Sequence, residues 1–264
     1  PDDPMRSPRI DIEWARNLIK EFGRKDPWVM SMILGEFPES SITTLLTDID
    51  VDNAVRRNIA DSQIMYSEKR LGVDAARFGD DSSIIFPRQG LQTYAYVTMR
   101  KADGPTLANR VIGACEKWKD VDQIFVDGTG GYGSSCIDFL KQAAFNPVEV
   151  QFASAASDPV KFYNKRAEMY WRGAEWIKKH GSLIDDKDLR KELVGIQYSF
   201  SGDRILIEPK DQMKKRLGYS PDRADAFMLT FANPEALKQK IMDKYKTDER
   251  HTYKSKDEYD PWNN

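Results

Sequence analysis

Two short apolar runs, each closed by a carboxylate, constrain this chain most: Leu71-Gly72-Val73-Asp74 and Gln123-Ile124-Phe125-Val126-Asp127. Each reads as a strand that ends on an aspartate. Between them, 82–86 and 92–99 are β-rich, the second alternating through Tyr94, Tyr96 and Thr98. With the first run they fit a three-stranded meander. A helix is predicted over 105–118, where Leu107, Val111, Ala114, Cys115 and Trp118 share one face. After the second run come a glycine-rich turn, a helix over 134–144 and a strand over 148–152.

Three antiparallel strands, a helix, a parallel strand, a helix and another strand make a mixed sheet flanked by helices. The expected fold class is α/β and ribonuclease H-like: a mixed five-stranded central sheet, plus an extra β-hairpin from 195–200 and 204–208. In that order the first and fourth strands lie side by side at the sheet centre, and their C-terminal ends meet where α/β sheets place ligands. Asp74 and Asp127 occupy those ends. A long helix is predicted over 159–179, and a last one enters through Ser220-Pro221-Asp222 with Ala224, Phe227, Met228 and Phe231 at helical spacing.

The organisation expected is a helical segment or linker over 1–67, the sheet-bearing domain over 68–236, and a charged, mobile tail over 237–264. In the first part, 11–22 has helical spacing with Asp11 as cap. Pro1 stands where a methionine would begin a complete chain, which reads as a cut or processed fragment.

Composition narrows the function classes. Lys plus Arg number 40 against 42 for Asp plus Glu, a net charge of −2, so a nucleic-acid partner would need a local basic patch. Two cysteines, Cys115 and Cys136, and two histidines, His180 and His251, exclude a disulfide framework and tandem zinc sites. No run approaches the roughly 18 apolar residues that span a bilayer. The expectation is a protein of a reducing, intracellular setting with no membrane partner.

Carboxylates at neighbouring strand ends repel unless a cation or a shared proton compensates. Hard divalent ions suit oxygen ligands, and a pair of them about 4 Å apart can activate water and stabilise the leaving oxygen of a phosphodiester. Asp225 is the expected third carboxylate, since Pro221-Asp222-Arg223-Ala224-Asp225-Ala226 opens a helix whose apolar face would pack on the sheet. Asp74, Asp127 and Asp225 are thus the candidate catalytic and metal-binding set. Asp222, one turn from Asp225, is accessory and reads equally as a helix cap. Asp80 and Asp81 lie in the first hairpin, where turn chemistry explains them as well as metal binding; Asp81 is kept as accessory. Gly128-Thr129-Gly130-Gly131 reads either as an anion cradle or as a tight turn, and it is not a P-loop.

Two basic stretches supply candidate contacts to a nucleic-acid backbone. The run 161–172 interleaves Lys161, Lys165, Arg166 and Arg172 with aromatic residues, and 210–216 carries Lys214, Lys215 and Arg216 just before the Asp225 helix. In the first, Phe162, Ala167, Tyr170 and Trp171 could instead be core with the cations as a solvated face; the second could be a solvated turn.

Together these residues resemble a known family, the C-terminal nuclease domain of the large terminase subunit of tailed bacteriophages. The resemblance covers about residues 68 to 235 and rests on Gly72 to Asp81, Val126 to Gly130, Asn164 to Trp171 and Ser220 to Ala226. The segment Trp28 to Pro38 looks like the end of the ATPase region that precedes the nuclease in that family. The resemblance implies that Asp74, Asp127 and Asp225 bind two Mg²⁺ or Mn²⁺ ions and cut concatemeric, double-stranded viral DNA during genome packaging. It further implies phosphate contacts from Lys165 and Arg166, a bracing role for Glu168, a small terminase subunit and a portal as partners, and the host-cell cytoplasm as location. No Walker motif is present, so cleavage without translocation is expected.

Two readings compete. An actin- or sugar-kinase-like phosphotransferase shares the sheet but needs two such domains. A catalytically silent DNA-binding or assembly module would use the carboxylates only to shape its surface. Resolvases and transposases also use this fold and metal chemistry.

Overall fold

In a computed structural model, described here for residues 11–24, 29–36, 44–76, 82–235, the chain is an α/β protein built on a mixed six-stranded sheet. The strands are β1 (Lys69–Asp74), β2 (Ser82–Gln89), β3 (Gln92–Thr93), β4 (Val97–Arg100), β5 (Gln123–Asp127) and β6 (Val148–Val150). Their order is β3-β2-β1-β5-β6, with β4 beside β2. β1 pairs antiparallel with β2 and parallel with β5, and β5 is parallel to β6. A second sheet is the hairpin β7 (Tyr198–Ser201) and β8 (Arg204–Ile207), turning at Gly202.

The sheet has six strands rather than five because the expected strand over 92–99 splits in two. Both halves pair with β2, β3 at Arg88 and Gln89 and β4 from Ser82 to Ile85. Tyr94 N–H reaches the Pro87 carbonyl at 3.1 Å, but proline has no N–H to return the bond, so the ladder breaks there.

Helices cover both faces. α4 (Gly104–Trp118) and α5 (Ser134–Gln142) bury Leu107, Val111, Cys115, Ile137 and Leu140 against Leu71, Val73, Ile124 and Val126. The opposite face carries α6 (Lys165–Lys179) and α9 (Asp222–Leu229), with α7 (Lys187–Val194) against α9; Tyr170, Phe227 and Met228 pack with Ile84 and Phe86. Side chains alternate along a strand, so Gly72 with Asp74, and Phe125 with Asp127, point to this second face. α6 begins at Lys165 and not near 159, because the Asn164 side chain caps it by accepting from Ala167 N–H at 3.0 Å. Residues 158–161 form instead a turn around Asp158 Oδ1.

The N-terminal part contributes α1 (Ile12–Phe22), α2 (Asp48–Arg56) and α3 (Asp61–Ile64). Residues 44–67, read from sequence as part of a helical segment or linker outside the core, place Leu45, Leu46, Val51 and Ala54 in the same apolar cluster as Tyr170 and Phe227. Arg57 also satisfies the end of α6, donating to the carbonyls of Ile177, Lys178 and Gly181. The tail over 237–264 and Asp80 and Asp81 lie outside the described residues.

α9 is held against the sheet at its middle and at its end. At its middle, a Cβ added to Gly72 would sit 1.9 Å from the Ala226 carbonyl oxygen, so the helix approaches β1 as closely as only glycine permits. At its end, two buried arginines of the central strands collect the loose carbonyls. Arg70 donates to Thr230, Asn233 and Pro234 at 2.8–2.9 Å, and Arg88 to Thr230 O at 3.0 Å and Thr230 Oγ1 at 2.9 Å. Gly72→Ala is expected to cost about 3 kcal/mol in chemical denaturation, by pushing α9 off the sheet. Gly113→Ala, on the exposed face of α4 with nothing within 4 Å of the new Cβ, should stabilise by about 0.5–1 kcal/mol.

Candidate active site

The parallel register, with Val73 beside Val126, brings Asp74 and Asp127 together at the C-terminal ends of β1 and β5. The contact of α9 with Gly72 then sets the first turn of that helix over the same point, with Asp222 and Asp225 in it. The sequence-predicted triad therefore meets on one face. Asp74, Asp127 and Asp222 open into a cavity of about 540 Å³, also lined by Thr129, Tyr132, Asn164, Arg166 and Lys210. Asp74 is 2%, Asp127 8% and Asp225 0% exposed.

Lys210 is the residue that sequence reasoning passed over. It opens α8 (Lys210–Leu217) directly after β8 and reaches into the carboxylates. Its Nζ lies 3.3 Å from Asp74 Oδ2, 3.3 Å from Asp222 Oδ1 and 2.9 Å from Asp225 Oδ2. Among the described residues, no three carboxylate, imidazole or thiol groups are gathered tightly enough to hold a metal as they stand; the ammonium stands between them. The available signal was its place at the start of the 210–216 basic run, immediately before the acidic helix.

The electrostatics are those of a site short of positive charge. Four carboxylates face two cations, Lys210 and Arg166. Burial pushes Asp74 well above the usual carboxylate range; Lys210 opposes this, while Asp225, Asp222 and Asp127 add to it. Burial also raises Asp127, partly offset by the Thr129 N–H at 2.8 Å. Asp225 goes the other way: burial would raise it, yet Lys210, Arg166 and the Tyr170 hydroxyl together hold it below its ordinary value. Lys210, despite desolvation, is held well above its ordinary range by Asp225, Asp74 and Asp222.

Asp222 is not a side-chain helix cap. Its carboxylate accepts from Ser220 Oγ at 2.5 Å and from Ser82 N–H at 3.3 Å, tying α9 to the start of β2. The glycine-rich loop forms a tight turn, in which Thr129 N–H is spent on Asp127 and a Cβ at Gly133 would lie 2.0 Å from the Asp127 carbonyl oxygen.

The candidate phosphate contacts divide. Lys214 and Lys215 are exposed on α8, and Lys161 is half-buried beside the Phe162 and Trp171 rings. Arg216 is exposed but bonded to Glu208 and the Gly195 carbonyl. Lys165 pairs with the fully buried Glu168 at 3.0 Å, and Arg172 pairs with the same carboxylate at 2.6 Å, so Glu168 braces α6. Arg166 departs most from a surface role: it is buried, bonded to Glu208 O at 2.6 Å and paired with Asp225 at 3.4 Å.

Sheet order, flanking helices and carboxylates at two adjacent strand ends define a ribonuclease H-like fold of the kind found in terminase nuclease domains. The nuclease domain of the large terminase subunit gp2 of bacterial virus Sf6 is similar at a TM-score of 0.60 and 19% identity, over 72% of this chain and 99% of that one. A mutant of that domain with manganese matches at 0.59 and 18% identity over the same shares. The large terminase nuclease of thermophilic phage G20c with bound magnesium matches at 0.50 and 14%, over 74% of this chain and 99% of that one. In sequence, the chain is similar to a probable terminase large subunit of Enterobacteria phage P7, 25% identical over 242 residues and 84% of this chain. It spans 48% of that relative's length. No protein-family model matches the sequence.

Proposed function

We propose that this chain is a divalent-metal-dependent endodeoxyribonuclease of the terminase type, cutting double-stranded viral DNA by hydrolysis of a phosphodiester. The observation that carries the reading is that Asp74, Asp127 and Asp222 line one cavity, with Asp225 buried behind them and joined to Asp74 and Asp222 through Lys210, and with too little positive charge to balance the four. The donors fit a hard cation: all are carboxylate oxygens, and Asp225 Oδ2 is buried with a cation, the Lys210 ammonium, already at 2.9 Å. Asp74, Asp127 and Asp225 would hold Mg²⁺ or Mn²⁺, two ions in the active complex, with Asp222 and Asp81 as accessory groups. Bound there, such ions lower the pKa of water and stabilise charge on the leaving oxygen.

The protein's own residues do the rest. The carboxylates fix where the phosphate meets the site, and the sheet and α9 keep them from moving apart. Lys210 holds the cluster together while no other cation is present. Lys161, Lys214 and Lys215 would meet the DNA backbone, with Lys165 and Arg216 giving up their acidic partners to join them; Arg166 acts from within. A small terminase subunit and a portal in the host-cell cytoplasm belong to the same reading, supported by the similarity to large terminase subunits. Among the described residues no helix is long and apolar enough to cross a membrane.

Lys210 also favours one rival, a DNA-binding module in which the ammonium permanently satisfies the acids. Supercoiled plasmid incubated with the chain and Mn²⁺, Mg²⁺ or EDTA separates the two. Nicking and linearisation with either metal and none with EDTA is expected; salt-sensitive DNA binding with no cutting in any metal would select the binding module.

A further inference from the structure

The two oxygens of the Asp225 carboxylate are held from different sides. Its Oδ1 accepts the hydroxyl hydrogen of Tyr170 and lies 3.4 Å from Arg166 Nη2. Its Oδ2 is paired with the Lys210 ammonium at 2.9 Å, on the side of Asp74 and Asp222. Tyr170 and Arg166 are one turn apart on α6, with Arg166 Nη2 3.3 Å from the Tyr170 hydroxyl and the guanidinium 4.8 Å from the ring centroid. Arg166 is itself anchored on Glu208 O, two residues before Lys210. A buried tyrosine, an arginine and a backbone carbonyl thus form a rigid chain that ends on Asp225 Oδ1.

This has a chemical consequence. The terminal torsion of an aspartate is soft, so an untethered carboxylate can offer either oxygen, or both, to a cation. Tyr170 and Arg166 fix that torsion with Oδ1 toward α6, which leaves Oδ2 as the oxygen on the Lys210 side. We propose that Tyr170, backed by Arg166, is a positioning residue that makes Asp225 a single-oxygen ligand for the divalent cation and aims that oxygen at the Asp74 and Asp127 carboxylates. The proposal rests on the metal-nuclease reading above. Groups that orient a metal ligand commonly change metal affinity by about 10- to 100-fold when removed.

Tyr170→Phe tests it, since the ring is fully buried and the substitution removes one oxygen without changing the packing shape. Plasmid nicking by the full chain is followed over a Mn²⁺ titration. The half-activating Mn²⁺ concentration should rise about tenfold, with most of the rate regained at saturating Mn²⁺. An unchanged half-activating concentration, with or without a lower melting temperature, would show that Tyr170 only packs, and would overturn the proposal. If the parent chain does not cut, the nuclease reading fails on its own, and Mn²⁺ calorimetry decides this one: weaker binding by Tyr170→Phe supports it and equal binding overturns it. Should Tyr170→Phe not fold, Arg166→Lys keeps the charge but loses the link between Glu208 and Asp225, and the same rise or its absence is read.

Discussion

Asp74→Asn is expected to lower metal-dependent DNA cleavage by about 10³-fold or more while leaving the fold intact. The loss follows from position, since Asp74 lies at the end of the central strand, beside Asp127 and facing Asp222 and Asp225 through Lys210. Intact folding follows from electrostatics. Burial and three like charges push the Asp74 carboxyl well above its ordinary range, so its ionised form is a burden on the folded state. A raised carboxylate contributes stability that is fully present below the unfolded value of about 3.9 and lost as pH rises through the folded value. Asp225, depressed, does the reverse: its contribution is present above that value and lost as pH falls through its folded one. Without metal, the parent chain should therefore lose stability as pH is raised from about 4, and Asp74→Asn should lose less. Denaturation midpoints at several pH values, beside plasmid cleavage, check both halves. Retained cleavage would remove Asp74 from the site.

Lys210→Met should give the second large effect, and it should appear in the response to metal. Removing the ammonium leaves Asp74, Asp222 and Asp225 facing one another, at a cost of about 2 kcal/mol without metal. That figure sits below the range for a fully buried pair because 35% of the lysine side chain is exposed. A divalent ion can then enter without displacing a charge. Millimolar Mn²⁺ or Mg²⁺ should raise the melting temperature of Lys210→Met by more than it raises that of the parent. Equal shifts would mean that the lysine and the cation do not share a place.

The sequence made the site legible where the chemistry is local. Apolar runs ending on Asp74 and Asp127 mark strand ends, and strand order makes those strands neighbours; the register of Val73 with Val126 is what that order requires. Asp225 could be placed because its helix carries an apolar face. The bracing role of Glu168 was implied by the resemblance, and the structure pairs it with Lys165 and Arg172, three and four residues away on one helix. What stayed hidden depends on contacts between distant segments. Lys210 and Tyr170 reach the carboxylates from α8 and α6; helical spacing allows Tyr170 an inward face, but nothing at either position names Asp225 as the partner. Arg166 looked like one cation in a basic run, yet it lies against Asp225, 59 residues away. Arg70 and Arg88 fall outside the strand runs read from sequence, and their burial depends on the carbonyls at the end of α9 together with Glu68, the Gly90 carbonyl and Glu235. The split of β3 from β4 turned on a single missing N–H at Pro87.

The central claim, that this cluster is a divalent-cation site occupied in part by a lysine, is tested most directly by Mn²⁺ anomalous diffraction from crystals of the chain. Manganese density within about 2.5 Å of the Asp74 and Asp127 carboxylates and Asp225 Oδ2, with the Lys210 ammonium drawn away from them, is the result predicted. Crystals held in saturating Mn²⁺ that show no peak there, with Lys210 still seated between Asp74, Asp222 and Asp225, would contradict it.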